Sequence, residues 1–174
     1  MKRFLLILAA ALLMLGFTTS AQAVVDFDNA PSGAHFRKGY AEPVCTESTV
    51  PTTGSVTVSC TATQIAGVGN TNADLLLEVE ATANFVCHNP GNDNIVEPHS
   101  DSANETIEAT LVPSRNGTLV VSAQSVTISP TEAAAQFECP NKNWREEFTG
   151  FSDLSYTYSV TFAGFDEPAI LVTG

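Results

Sequence analysis

Apolar and polar residues alternate along the segment 73–87, and this periodicity constrains the fold more than any other feature of the chain. One set consists of Leu75, Leu77, Val79, Ala81, Ala83, Phe85 and Cys87, and the opposite set includes Asp74, Glu78, Glu80, Thr82 and Asn84. Successive side chains of a β-strand point to opposite faces, so a period of two predicts a strand with one buried face. A helical turn is predicted only at 131–137.

Other segments have the same alternation or a strand-like composition, namely 54–64, 106–112, 118–129, 155–162 and 169–173. Asn116-Gly117 separates two of them and predicts a hairpin, because both residues accept the positive φ that tight turns require. A change of phase near Gln124 and Ser125 indicates a bulge. Strands separated by Gly, Pro and Asn turns predict an all-β fold, an antiparallel Greek-key β-sandwich that is immunoglobulin-like and has about seven or eight strands.

The first residues have the composition of an export signal. Lys2-Arg3 precedes the apolar segment 4–17, and Ala21-Gln22-Ala23 places small residues where a signal peptidase requires them. The apolar segment is short for a membrane span, which needs about 20 residues. We expect residues 1–23 to be a cleaved signal peptide and 24–174 to be a single β-sandwich domain, secreted to the extracellular space or the periplasm.

Negative charge dominates the expected mature chain. Loss of Lys2 and Arg3 leaves five basic residues against 19 acidic ones, a net charge of −14. Nucleic acids and anionic lipids bind cationic surfaces, so neither is an expected partner. No segment after the signal is apolar enough to span a membrane. The expected partner is an extracellular or envelope component whose identity the sequence does not give.

Four cysteines in an exported chain predict two disulfide bonds, because thiols are oxidised outside the cytoplasm. We favour Cys45–Cys60, which closes a short loop, and Cys87–Cys139, which ties the middle of the chain to its last third. Cys60 and Cys87 both fall on inward-facing sets, so a Cys60–Cys87 bond remains an alternative. The wide spacing and the lack of a C-x-x-C motif argue against zinc.

Catalytic motifs are missing from the sequence. There is no G-x-S-x-G nucleophile elbow, and the expected disulfides consume all cysteines. The only histidines are His35, His88 and His99. We therefore expect neither an enzyme nor a cofactor.

The polar segment 87–101 is the richest in potential metal ligands. Its candidates are His88, Asp93, Glu97, His99 and Asp101. The EF-hand order fails when Asn92 is taken as the first position, since neither the glycine nor the final glutamate is present. Asn, Asp, Pro and Gly are also typical of any long surface loop. No metal is therefore assigned.

Trp144 is the aromatic residue with a candidate binding role, because it lies in the loop 139–148 and aromatic faces pack well against sugar rings. Tyr156 and Tyr158 share a face with Val160 and Phe162, so they are expected in the core.

The run Val79–Asn92 and the later Phe137-Glu138-Cys139-Pro140 resemble a family of uncharacterised small secreted bacterial β-rich proteins. In that family a strand of the form A-T-A-x-x-x-C-x-N-x-G-x-N is followed by a C-P motif. The resemblance implies a secreted β-rich domain and no catalytic role. It favours pairing Cys87 with Cys139, the two shared cysteines, whereas Cys45 and Cys60 look like an additional pair.

These features predict a non-catalytic extracellular binding or structural module. One alternative is a metal- or carbohydrate-binding protein that uses the loops 87–101 and 139–148, which would be neighbours if Cys87 bonds Cys139. A second alternative is a hydrolase inhibitor or a hydrolase. Loops on a rigid sandwich vary without cost to the core, so these two loops are the expected contact surfaces.

Overall fold

The computed structural model describes residues 20–92, 94–135 and 137–174. Its strands are β1 (Ser20–Gln22), β2 (Val24–Val25), β3 (His35–Phe36), β4 (Val44–Thr49), β5 (Val56–Cys60), β6 (Thr63–Ala66), β7 (Ala73–His88), β8 (Ile95–Leu111), β9 (Thr118–Val121), β10 (Gln124–Ile128), β11 (Arg145–Phe162) and β12 (Ile170–Thr173). A 3-10 turn covers Phe27–Asn29, and a short helix α1 covers Pro130–Ala134. The predicted all-β class is confirmed.

All strand pairs are antiparallel, and they form three sheets. The orders are β1-β4-β5-β10, β2-β12-β11-β7-β8 and β3-β6-β9. Only two residues separate β5 from β6, and two separate β9 from β10, so the three-stranded sheet continues the four-stranded one. The five-stranded sheet packs against this bent layer around one hydrophobic core, an arrangement consistent with a β-sandwich.

Burial follows the alternation of the sequence. Along β7 every second residue from Ala73 to Cys87 is buried, as predicted. The largest fully buried side chains come from both layers and are Tyr158, Phe85, Phe162, Ile65, Leu75, Leu77, Leu119, Ile128, Ile170, Val58, Val68 and Val79. Burial of each large apolar side chain stabilises the fold by about 1.5–3 kcal/mol, so these buried side chains are a main source of the stability of the sandwich.

Two strands extend beyond the segments that alternation predicts. β8 begins at Ile95 and not at residue 106, and β11 begins at Arg145 and not at residue 155. β8 pairs with β7 alone and forms an edge, where polar residues and Pro98 are tolerated because one side of the backbone makes no ladder. Parts of both predicted loops, 87–101 and 139–148, are therefore strand.

Irregularities in β11 explain why the sequence does not predict its first half, residues 145–154, as strand. The register with β7 shifts between Phe148 and Gly150 and again between Ser152 and Ser155. Gly150 and Asp153 have positive φ, at 149° and 51°. Each shift moves later side chains to the other face, so the period of two is lost although the strand continues.

The predicted strands 54–64 and 118–129 are each split in the structure. β5 ends at Cys60 before β6 begins at Thr63, and β9 ends at Val121 before β10 begins at Gln124, close to the predicted change of phase. The predicted turn 131–137 is the shorter α1. Its start is fixed by a capping box in which Ser129 Oγ accepts from the Glu132 amide and the Glu132 carboxylate accepts from Ser129.

Residues 1–19 of the expected signal peptide lie outside the described residues. Its last residues belong to the described fold, since β1 pairs with β4 in the register Ser20↔Thr46, Ala21↔Cys45 and Gln22↔Val44. Within the described part of the chain, none of the helices has the length and hydrophobicity that a transmembrane segment requires.

Candidate functional site

Two disulfides brace the sandwich, Cys45–Cys60 and Cys87–Cys139, and this is the pairing favoured from the sequence. The first joins directly opposed residues of β4 and β5. The second joins the end of β7 to the segment that precedes β11, with the Cα atoms 5.9 Å apart. The alternative Cys60–Cys87 bond does not form.

The second bridge brings together the two segments that the sequence singles out. His88 at the end of β7 pairs with Arg145 at the start of β11, and Cys87 pairs with Glu146. Both segments therefore emerge at one end of the five-stranded sheet, and we call this region the bridge end.

Aromatic packing fixes the inner side of the bridge end. The Phe85 ring stacks on Phe137 with centroids 4.7 Å apart and an interplanar angle of 4°. Phe148 packs edge-on against Phe85 at 5.6 Å, and the His99 ring lies 5.7 Å from Phe137. Pairs of this geometry stabilise by about 0.5–1.5 kcal/mol beyond area burial, so the segment before β11 is anchored by rings as well as by sulfur.

A depression of about 270 Å³ lies beside this cluster. It is lined by Phe137, Glu138, Cys139, Lys142, Trp144 and Glu146. Trp144 is half-buried and is held by a turn, in which its amide donates to the Asn141 carbonyl at 2.8 Å. The Asn141 side chain accepts from the Asn143 amide at 3.0 Å and rigidifies the same turn.

Glu146 brings a carboxyl group into the same depression. Burial raises its pKa above the ordinary value, because a partly desolvated carboxylate loses hydration that stabilises its charge. Trp144 and Glu146 are two residues apart next to and within β11, so they lie on one side of the chain. The depression thus combines an indole, a phenyl ring, two carboxyl groups and an ammonium group.

The outer side of the bridge end carries a separate ionic group. His88 Nε2 lies 2.9 Å from Glu147 Oε2, and Arg145 Nη1 lies 3.8 Å from the same oxygen. The His88 side chain is 12% exposed, whereas Glu147 and Arg145 are half or more exposed. The pair connects β7 to β11 on the face opposite the Trp144 depression.

The structure separates the two histidines among the candidate metal ligands. His88 lies on the outer face with Glu147, whereas His99 lies on the inner side against Phe137. The exposed Asp101 accepts a hydrogen bond from the amide of Ser102. Asp93 lies outside the described residues, and the side chain of Glu97 is not described either. Among the residues that are described, no group of three or more His, Cys, Asp or Glu is placed to hold a metal ion.

A larger depression of about 520 Å³ lies on the outer face between β7 and β8. Its polar lining includes Asp74, Glu108 and Thr110, and the Thr110 hydroxyl donates to the Asp74 carboxylate at 2.8 Å. No aromatic residue lines it. Because it lacks an aromatic ring, this depression offers a small molecule no stacking surface, whereas the smaller depression at Trp144 does.

Sequence reasoning identified Trp144 but missed Phe137, Lys142 and Glu146 as its neighbours. Glu146 and its neighbour Glu147 lie on opposite faces of β11, with Glu146 on the side of Cys87. The parity of Trp144, Glu146 and Phe148 was the available signal, because alternate residues of a strand share a face. Phe137 carried no such signal, since its position depends on the disulfide that follows it.

The fold and the disulfides define an all-β, disulfide-braced protein with antiparallel sheets, a class that fits an extracellular module. Comparison with protein-family models, with curated proteins and with solved structures finds no significant match.

Proposed function

We propose that this protein is an exported, non-catalytic binding module that takes a saccharide in the depression beside Trp144. The observation that carries the proposal is the convergence of Trp144 and Phe137 with Lys142, Glu138 and Glu146 around one opening. Small-molecule sites combine apolar walls with a few converging polar groups, and this opening has both.

A sugar ring fits this combination of groups. The C–H face of a pyranose packs against an indole, while its hydroxyls require hydrogen-bonding groups at the rim. Lys142 supplies donors, and the carboxyl groups of Glu138 and Glu146 supply acceptors. The volume of about 270 Å³ lies just below the usual range of small-molecule sites, which suits one end of a glycan and not a long chain.

Charge narrows the class of sugar. Two carboxyl groups face one ammonium group in the depression, and the whole chain has a net charge of −12. Uronic acids and sulfated sugars are repelled by such a surface, whereas neutral and amino sugars are not. We therefore propose a neutral or amino sugar.

Isothermal titration with chitosan, neutral and uronic acid oligosaccharides tests the proposal. We expect binding of one of the first two, and Trp144→Ala should weaken it at least tenfold, while Trp144→Phe should retain part of the affinity. Tyr40→Ala is the matched control, because Tyr40 is also an exposed aromatic residue but lies outside the depression. Equal affinity of the wild type and Trp144→Ala, or no binding of either sugar class, would contradict the proposal.

Export is part of this proposal. It is supported by the composition of residues 1–23 and by two disulfides, which form in oxidising compartments. The immunoglobulin-like Greek-key topology is likewise proposed, and the non-sequential neighbours β5–β10 and β11–β7 support it. Membership of the small secreted bacterial family rests on its two sequence motifs alone.

A further inference from the structure

A single strand-like pattern crosses the expected signal-peptide junction. From Ala21 to Phe27 the side chains alternate without interruption, with residues 21, 23, 25 and 27 half-buried and residues 22, 24 and 26 exposed. Ala21, Ala23 and Phe27 pack against the hydrophobic core. A cut after Ala23 would divide this pattern in its middle.

The same residues connect the two layers of the sandwich. β1 pairs with β4 at the edge of one sheet, and β2 pairs with β12 at the edge of the other, with Ala23 as the crossing point. Removal of β1 would uncover the backbone of β4 opposite Ala21 and would remove the direct chain connection from β1 in one sheet to β2 in the other.

A specific polar contact also depends on Ala21. Burial, the larger effect, raises the pKa of the Tyr156 phenol, whereas the backbone N–H of Ala21 faces this phenol and acts to lower its pKa; the Tyr156 side chain is 4% exposed. A buried hydroxyl that loses its partner destabilises the folded state. Signal peptides are discarded and need not fit the domain that follows, yet Ala21 fits this one in its pairing, packing and hydrogen bonding.

We propose that the signal peptidase cuts the bond between Ser20 and Ala21, so that the mature chain begins at Ala21, loses the pair Ser20↔Thr46, and retains β2 and the β1 pairs Ala21↔Cys45 and Gln22↔Val44. This inference rests on the export proposed above. Thr18 and Ser20 place small side chains at the third and first positions before that bond, as the peptidase requires. Hydrolysis consumes one water and leaves a carboxylate on Ser20 and an ammonium group on Ala21.

The new N-terminus suits its surroundings. An ammonium group at Ala21 keeps a donor for the Tyr156 phenol, and the negative charge of Glu47 lies close enough to act on that phenol. A positive terminus therefore enters a site that already contains an acceptor and a carboxylate. A terminus at Val24, a residue 69% exposed, gains no such environment.

Intact-mass analysis of the protein secreted by a bacterial host that expresses the full chain tests this inference. We expect a chain that starts at Ala21. Ser20→Gln should block this cut, whereas Ala23→Gln, the matched control, should leave it unchanged. A chain that starts at Val24 would overturn the inference and leave the proposed export intact, and a chain retained uncleaved inside the cell would overturn both.

Thermal unfolding of chains that start at Ala21 and at Val24 gives an independent test. The longer chain should melt several degrees higher, and Tyr156→Phe should lower the melting temperature of the longer chain more than that of the shorter one. Equal melting temperatures, or an equal effect of Tyr156→Phe in both, would count against the assignment. If the shorter chain does not fold, the mass measurement still decides.

Discussion

The hydroxyl of Tyr158 is the most informative single group for stability. The side chain is completely buried, and its oxygen has no hydrogen-bond partner among the described residues. Tyr158 lies opposite Leu77 of β7 and Val172 of β12, so the ring itself packs well. A buried hydroxyl without a partner costs about 1–3 kcal/mol of desolvation. We predict that Tyr158→Phe raises the free energy of unfolding by about 1 kcal/mol at pH 7, since the oxygen-sized void offsets part of the gain.

Alkaline pH should increase the difference in free energy of unfolding between Tyr158→Phe and the wild type. Burial raises the pKa of Tyr158 to about 12 from an ordinary value of 10.0. The folded state therefore holds the phenol proton more tightly than the unfolded state. The stability linked to this proton is complete below pH 10 and is lost as the pH rises to about 12. A shift of this size corresponds to about 3 kcal/mol, and Tyr158→Phe should not suffer this loss.

Urea unfolding followed by circular dichroism between pH 7 and pH 12 measures both effects. Tyr156→Phe is the matched control, because the Tyr156 phenol has a polar neighbour in the Ala21 backbone N–H and its removal should destabilise the chain by about 1 kcal/mol. If Tyr158→Phe destabilises the protein at pH 7 as Tyr156→Phe does, the Tyr158 hydroxyl has a partner in solution and the reasoning is refuted.

Two further predictions concern the bridges and the sheet edge. Replacement of Cys87 and Cys139 by Ala should lower the free energy of unfolding by about 4 kcal/mol, and replacement of Cys45 and Cys60 by about 3 kcal/mol, because loops of 52 and 15 residues are released. The urea midpoint at pH 7 should therefore fall further for the first variant. A larger fall for the second variant would contradict the loop-entropy argument. Glu105 is an exposed charge on the inner side of the edge strand β8, and such charges discourage edge-to-edge pairing. Glu105→Val should therefore increase self-association, measured by sedimentation velocity. An unchanged sedimentation coefficient would show that this charge does not protect the edge.

The long strand β7 and the fold class were predictable from the local sequence pattern. Residues 73–87 alternate without interruption because β7 lies inside its sheet, with one face on the core and the other in solvent. In such a strand the buried and exposed positions appear in the sequence as alternating apolar and polar residues. Asn116-Gly117 likewise marked the turn between β8 and β9, where Gly117 has a φ of 73°. These two strands lie in different sheets, however, so the turn does not close the predicted hairpin.

The edges were not predictable in the same way. Residues 95–105 pair with β7 over a long register, yet Pro98 and their polar character mark them as loop in any local reading. Their strand conformation depends on the partner that β7 supplies and not on their own propensity. β4 and β1 are also recognisable only through their partners, since each is short or lacks strict alternation.

The candidate site combines predictable and unpredictable parts for the same reason. The sequence identified Trp144 and the pairing of Cys87 with Cys139, but the depth of the depression depends on Phe137. That ring stacks on Phe85 at 4.7 Å, and Phe85 is fixed by β7. The alternation of β7 therefore fixes Phe85 and Cys87 on its buried face. These two residues in turn hold the segment 137–144, which has little regular structure of its own. Because these contacts position Trp144, the proposed ligand site should require the Cys87–Cys139 disulfide and should not require Cys45–Cys60.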